Sequence, residues 1–267
     1  MLSYGSLCPA AGLSIRTTGQ GPRLVLLHGG SGSRTHWARN VPALAQSFQV
    51  ITPDLPGFGE SEAPPAGIGT REYLAWVATA IRHVVGDRPW HLVGFSFGGA
   101  VAAGVSALLA AQGQGPVRLS LISPAGFGRP AQREIALEKV KHIDPADTQA
   151  LRAATARNLG RWMLAREPEP QDEAIDIHLR NVGLARFDSR GVSHEASLIP
   201  NLQAAKLPTQ ILLGQADPLV FPSLSERVAL LRQALPQTSI ETVPNGGHWL
   251  AYEASDTVNQ HIRQFHL

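Results

Sequence analysis

Cysteine and lysine are almost missing from this chain. A single cysteine, Cys8, excludes an internal disulfide and any zinc site built on cysteines. Nothing else in the sequence asks for an oxidising compartment. Lysine supplies only 3 of the 23 basic residues, and the arginines are spread along the chain with acids between them. With a formal net charge of +2, no concentrated basic face is available for a nucleic acid or an anionic membrane surface. Long apolar runs are missing too. The longest, over residues 100–111, is alanine-rich and too short to span a bilayer. The first 21 residues lack the basic and apolar regions of a signal peptide. These absences lead us to expect a cytoplasmic protein acting on a small molecule, without nucleic-acid or membrane partners. Monomer and homodimer remain equally open.

What is present is a globular composition. Of 267 residues 43% are hydrophobic, with 26 glycines and 20 prolines, which excludes disordered, collagen-like and coiled-coil chains. The length fits one large domain, or a domain carrying an insertion. Short apolar runs alternate with stretches of helical period, the pattern of an α/β fold with a mostly parallel sheet. Strands are expected at Arg23–Leu27, Phe48–Thr52, Trp90–Gly94, Val117–Ile122, Thr209–Leu213 and Ser239–Val243. Helices are expected near Thr35–Gln46, Arg71–Val85 and Phe97–Ala111. Between about Arg129 and Pro200 no strand run occurs, and segments such as Ile135–Ile143 and Ala174–Phe187 have helical period. The expected organisation is a core over residues 1–128 and 201–267, with a helical cap inserted over 129–200.

The sharpest motif is Gly94-Phe95-Ser96-Phe97-Gly98-Gly99, placed after an expected strand and before a helix of small residues. A serine hydroxyl becomes a nucleophile only when a base takes its proton, and it must project from the sheet edge. A sharp strand-to-helix turn projects it, and flanking glycines avoid collisions. The helix beginning at Phe97 then offers free backbone N–H groups to a developing oxyanion. The blander reading is a glycine-rich turn. After the first strand, His28-Gly29-Gly30-Ser31-Gly32 makes a second loop of interest. Gly30 is the expected second oxyanion donor beside Phe97, and its neighbour Ser31 is the expected substitute or aid to it at the substrate. The His28 side chain is expected to bond the loop internally.

A nucleophilic serine needs a histidine and an acid to orient it. Asp217 follows one late strand, in Gly214-Gln215-Ala216-Asp217-Pro218, and His248 follows the last, in Gly246-Gly247-His248-Trp249. The blander readings are that Asp217 caps the helix near Ser223 and that His248 is a surface-loop histidine. The serine–acid–histidine order, each member just past a strand, favours a triad of Ser96, Asp217 and His248. This chemistry is complete without a metal or an organic cofactor.

With these motifs the chain resembles the α/β-hydrolase superfamily along nearly its whole length. Asp54-Leu55-Pro56-Gly57-Phe58-Gly59-Glu60-Ser61 also resembles a loop common there, and is expected to be structural. Serine rather than aspartate at position 96 argues against the haloalkane dehalogenase and epoxide hydrolase branches. Within the superfamily the chain is similar to the meta-cleavage-product hydrolases, which cut C–C bonds in 2-hydroxy-6-oxo-dienoates. The glycine loop after His28, the Trp249 after His248, and Arg180 in a helix near Met163–Phe187 carry that likeness. The resemblance implies that Arg180 faces the substrate, where a forked guanidinium suits a carboxylate. Pairing with Asp176, one helical turn back, is the equal alternative. Trp249 is either a substrate contact or a packing residue. Two positions depart from the family. Phe95 stands where those hydrolases often carry Asn, and Gly30-Ser31-Gly32-Ser33 lacks their usual proline. An ester or lactone substrate would not need the missing amide at 95. Three readings follow: a C–C hydrolase, a carboxylesterase or lactonase with the same triad, and a non-catalytic ligand binder on this fold.

Overall fold

The structure, a computed structural model, describes residues 12–129 and 135–267. Residues 1–11, Cys8 among them, and residues 130–134 of the expected insertion lie outside the described residues.

Among the described residues seven strands form one sheet: β1 (Ile15–Thr18), β2 (Arg23–Leu27), β3 (Gln49–Pro53), β4 (Trp90–Phe95), β5 (Leu119–Ile122), β6 (Thr209–Gly214) and β7 (Ser239–Val243). Their spatial order is β1-β3-β2-β4-β5-β6-β7. Only the β1–β3 pair is antiparallel. Among the described residues ten α-helices accompany them: α1 (Val41–Leu44), α2 (Thr70–Val85), α3 (Phe97–Ala110), α4 (Thr148–Trp162), α5 (Glu173–Leu184), α6 (Arg190–Ser193), α7 (Leu198–Ala205), α8 (Leu224–Ala234), α9 (Leu250–Glu253) and α10 (Ser255–His266).

The central strands read as unbroken apolar runs because both their faces are buried. Val25 and Leu27 join the apolar cluster that includes α2 and α3, while Leu24 and Leu26 join the one that includes α10. That split follows from the two-residue period of a strand. At β4 the period continues, with Leu92 on the first side and Val93 and Phe95 on the second. Helix α3 comes very close to the sheet. A β-carbon on Gly98 would lie 2.7 Å from the Leu27 carbonyl carbon, and one on Gly94 would lie 2.8 Å from Ala102 Cβ. Glycine at both positions is therefore a packing requirement.

Several elements differ from the sequence expectation. β1 was not expected. The Thr35–Gln46 helix is instead a 3-10 turn at Arg34–Trp37 followed by the short α1. Pro42 has no N–H to continue the first helix, and is accommodated in the first turn of the second. Ile135–Ile143, expected to be helical, holds only a 3-10 turn at Val140–His142. The Asn158 side chain takes both backbone groups of Glu138, accepting from its N–H at 2.8 Å and donating to its carbonyl at 3.0 Å. Those groups would otherwise close a helical turn. Between β5 and β6 the described residues contain no strand, and α4 to α7 fill the interval. Of these, α7 packs on α3.

Candidate active site

Four loops converge at the carboxyl ends of β2, β4, β6 and β7. At the end of β4, Ser96 occupies the turn with φ 51° and ψ −118°, a left-handed backbone that an L-residue adopts at a cost. The turn is held from both sides. Ser96 N–H donates to the Ile122 carbonyl at 3.0 Å, and the Ser96 carbonyl accepts from Gly99 and Ala125 at 2.8 and 2.9 Å. Its hydroxyl is thereby projected beyond the sheet edge.

The residues singled out as a triad come together. His248 Nε2 lies 2.9 Å from Ser96 Oγ, and His248 Nδ1 lies 2.8 Å from Asp217 Oδ2. A carboxylate only accepts, so Nδ1 carries the proton and Nε2 is left to accept from the serine. The other Asp217 oxygen accepts from Leu219 N–H at 2.8 Å. Both Asp217 and His248 are buried. The histidine loop is clamped from behind. The Glu253 carboxylate accepts from Gly247 N–H at 2.9 Å and from Ala165 N–H at 2.8 Å. Burial raises the pKa of that carboxyl despite those two bonds.

The glycine loop after β2 lies opposite. His28 Nδ1 bonds the Gly29 carbonyl at 2.8 Å and its Nε2 accepts from Leu55 N–H at 2.8 Å, tying the loop to the one after β3. Burial lowers the His28 pKa, so the ring works as a neutral strut. Gly30 faces the start of α3, where a β-carbon on it would lie 3.6 Å from Phe97 Cβ. The Phe97 N–H belongs to the first turn of α3 and has no partner within the helix. Ser31 also lines the cavity, at φ 48°. The Asp54–Ser61 loop is structural in its contacts. Asp54 accepts from Arg34 N–H at 2.7 Å and Glu60 N–H at 3.0 Å, while Gly57 and Gly59 turn the chain at positive φ.

A cavity of about 950 Å³ opens on Ser96 and His248. Its apolar wall includes Phe127, Trp162, Met163, Phe187, Val220 and Phe221. Phe95, fully buried, lies against the His248 ring with centroids 5.3 Å apart. The charged side chains of the wall are mostly engaged. Arg190 grips Asp188 at 2.6 Å, and Arg227 lies over the Phe127 ring at 3.5 Å while donating to the Phe221 carbonyl at 2.6 Å. Arg129 is exposed.

Two residues expected near substrate stand elsewhere. Arg180 does not line this cavity. Its side chain is 66% exposed, and the carboxylate it approaches is Glu60, at 3.9 Å. The alternative pairing does not form either, because Asp176 is taken by Arg152. The buried stripe of α5 runs through Ala174, Ile177 and Asn181, which leaves Arg180 on a flank open to solvent. Trp249 is fully buried and packs. Its Nε1–H donates to the His36 carbonyl at 3.1 Å, and its ring stacks on Tyr252 at 4.6 Å. Conversely, Ser189 and Phe187 of the inserted segment reach the cavity without any signal in the sequence, since one sequence does not say which way a short helix turns. Among the described residues no three His, Cys, Asp or Glu side chains converge as metal ligands would. No helix among them is long and apolar enough to cross a membrane.

Comparison with known proteins agrees with this architecture. A model of the alpha/beta hydrolase family matches residues 24–261. A pimeloyl-acyl-carrier-protein methyl ester esterase of Aeromonas hydrophila is 32% identical, over 80% of this chain and 86% of its own length. A 2-hydroxy-6-oxo-6-phenylhexa-2,4-dienoate hydrolase of Burkholderia cepacia is 26% identical over 93% of this chain and 88% of its own. The acetyltransferase component of the acetoin cleaving system of Pseudomonas putida is 29% identical over 92% of this chain, which spans only 63% of that protein. Among solved structures, a dienoate hydrolase of the same name from Rhodococcus sp. strain RHA1 superposes with a TM-score of 0.75 at 19% identity, covering 99% of both chains. At that identity the superposition speaks for the fold alone.

Proposed function

Because this chain belongs to the alpha/beta hydrolase family, we propose that it is a serine hydrolase cleaving a small to mid-sized, largely apolar, uncharged carboxylic ester. One observation carries the reading. The Ser96–His248–Asp217 relay, at 2.9 and 2.8 Å, opens on a cavity whose wall is mainly aromatic and aliphatic. In this account the Ser96 hydroxyl proton passes to His248 Nε2 as Oγ adds to the ester carbonyl. Asp217 holds the imidazolium that forms. The N–H groups of Gly30 and Phe97 take up the oxyanion. Collapse expels the alcohol, which leaves with the proton from His248. Water then adds to the acyl-enzyme with His248 again as base, releasing the acid and restoring Ser96. The helices between β5 and β6 act as a cap that supplies the apolar wall and limits water.

Three features favour an ester over a 2-hydroxy-6-oxo-dienoate. Arg180 stands outside the cavity, Arg190 and Arg227 are engaged by neighbours, and the residue before the nucleophile is Phe95 rather than an amide. A fluorophosphonate probe tests the reading. It should label the folded protein at Ser96, and an ester such as p-nitrophenyl butyrate should protect. Absence of labelling would favour a non-catalytic binder.

A further inference from the structure

Asn181 sits in the middle of α5, a poor place for asparagine in a helix, and its side chain is fully buried. The amide does not face substrate, because Asn181 is absent from the cavity wall. It reaches instead into the glycine loop. Its Oδ1 accepts from Ser33 Oγ at 2.7 Å and from Thr35 Oγ1 at 3.0 Å, and those two oxygens lie 2.8 Å apart. Two hydroxyl protons are thus shared among three oxygens, with Thr35 N–H adding a bond to Ser33 Oγ at 3.2 Å. Asn181 Nδ2 is buried and has no partner among the described residues. A hydrocarbon of similar size would avoid that desolvation penalty, so the amide's value lies in the direction of its bonds.

Ser33 ends the loop that carries Gly30. Between them Ser31 is held at φ 48°, and Gly32 packs so closely on His36 that a β-carbon there would lie 2.5 Å from its Nδ1. A second residue of the inserted segment bears on the same loop. The Ser189 side chain packs against Gly30, where an added β-carbon would lie 3.2 Å from Ser189 Cβ. The loop is therefore gripped at its end by α5 and pressed at Gly30 from the start of α6.

We infer that Asn181 is a positioning residue: by holding Ser33 and Thr35 it makes the seat of α5 set where the Gly30 N–H points. The inference rests on the assignment of Gly30 as an oxyanion donor. A closed cap then means an ordered oxyanion hole, and a loosened cap lets the donor drift. Misplacement of a catalytic group by about 1 Å costs up to roughly 100-fold.

The test compares wild type with Asn181→Ala and the near-isosteric Thr35→Val. Three quantities are read: kcat/KM for p-nitrophenyl butyrate, the Ki of an alkyl trifluoromethyl ketone that adds to Ser96 as a tetrahedral oxyanion, and the Ki of the corresponding alcohol, which forms none. Asn181→Ala should lower kcat/KM about 10- to 30-fold and weaken the ketone in parallel, because the lost interaction belongs to the oxyanion. The alcohol should bind as before. Thr35→Val should show a smaller loss of about threefold that vanishes in the Asn181→Ala background, the sign of shared partners. It also carries the test if Asn181→Ala fails to fold. Unchanged ketone affinity in a folded variant overturns the inference, and so does an equal loss for ketone and alcohol. A wild type that neither hydrolyses the ester nor binds the ketone overturns the underlying hydrolase reading, and the inference falls with it.

Discussion

Ser96 Oγ and His248 Nε2 meet at 2.9 Å although β5 and β6 lie between the strands that carry them. The contact is made by loops that reach across the sheet edge, and it depends on the backbone of each. The serine turn is pinned to β5 through Ile122, and the histidine loop is pinned to the inserted segment through Glu253 and through Trp249 N–H, which donates to the Met163 carbonyl at 2.7 Å.

If the relay acts as a unit, Ser96→Ala and His248→Ala should each cost about 10⁶-fold in kcat on an ester substrate. Asp217→Asn should cost less, about 10⁴-fold, because an amide would favour the wrong imidazole tautomer while leaving the geometry in place. Steady-state kinetics on p-nitrophenyl butyrate check all three. Wild-type turnover in His248→Ala would remove the base assignment.

Gly98→Ala should fail for a different reason. Its new β-carbon would be driven into the backbone at Leu27 and His28, which cannot step aside as a side chain can. A loss of about 3 kcal/mol or more in urea unfolding is expected, at the upper end for overpacking. Ser96→Ala, which adds nothing, should unfold like wild type.

Arg180→Ala should leave KM for neutral and carboxylate-bearing substrates alike within about twofold, the range of a surface substitution. The exposed guanidinium approaches Glu60 and not the cavity. A selective rise in KM for a carboxylate substrate would return it to the site.

Stability should fall in mild acid. Burial, with His91 and Arg118 nearby, holds the folded-state pKa of His266 at about 3 against an ordinary 6.5. Between those values the unfolded chain binds a proton that the folded one refuses, so stability present above pH 6.5 drains away as pH falls towards 3. From pH 7 to pH 5 this one group accounts for about 2 kcal/mol. Burial likewise holds His178 at about 4, which adds a contribution of the same sign. Urea unfolding at both pH values should show a shallower dependence in His266→Gln, and an unchanged slope would contradict the attribution.

What the sequence reveals follows from where its signals come from. β2, β4 and β6 are buried on both faces, so their apolar runs stand out, and the turns after them carry the glycines that the chemistry requires. β1 stays hidden because Ile15–Thr18 is a short edge strand with three of its four residues only half buried. Val117 was expected inside β5, yet it is 46% exposed and the strand begins at Leu119. The relay residues are legible because strand ends place them. The contacts of the inserted helices are not, because helical period fixes one buried face and says nothing of what that face meets. Arg180 illustrates this: its side chain lies on a flank of α5, while Asn181, one residue on, holds the glycine loop.

Parallel turnover of p-nitrophenyl butyrate and a 2-hydroxy-6-oxo-dienoate, by wild type and by Ser96→Ala, tests the account most directly. It predicts rapid ester cleavage that Ser96→Ala abolishes and little loss of the dienoate's visible absorbance. Ester turnover that survives Ser96→Ala, or a dienoate consumed faster than the ester, would contradict it.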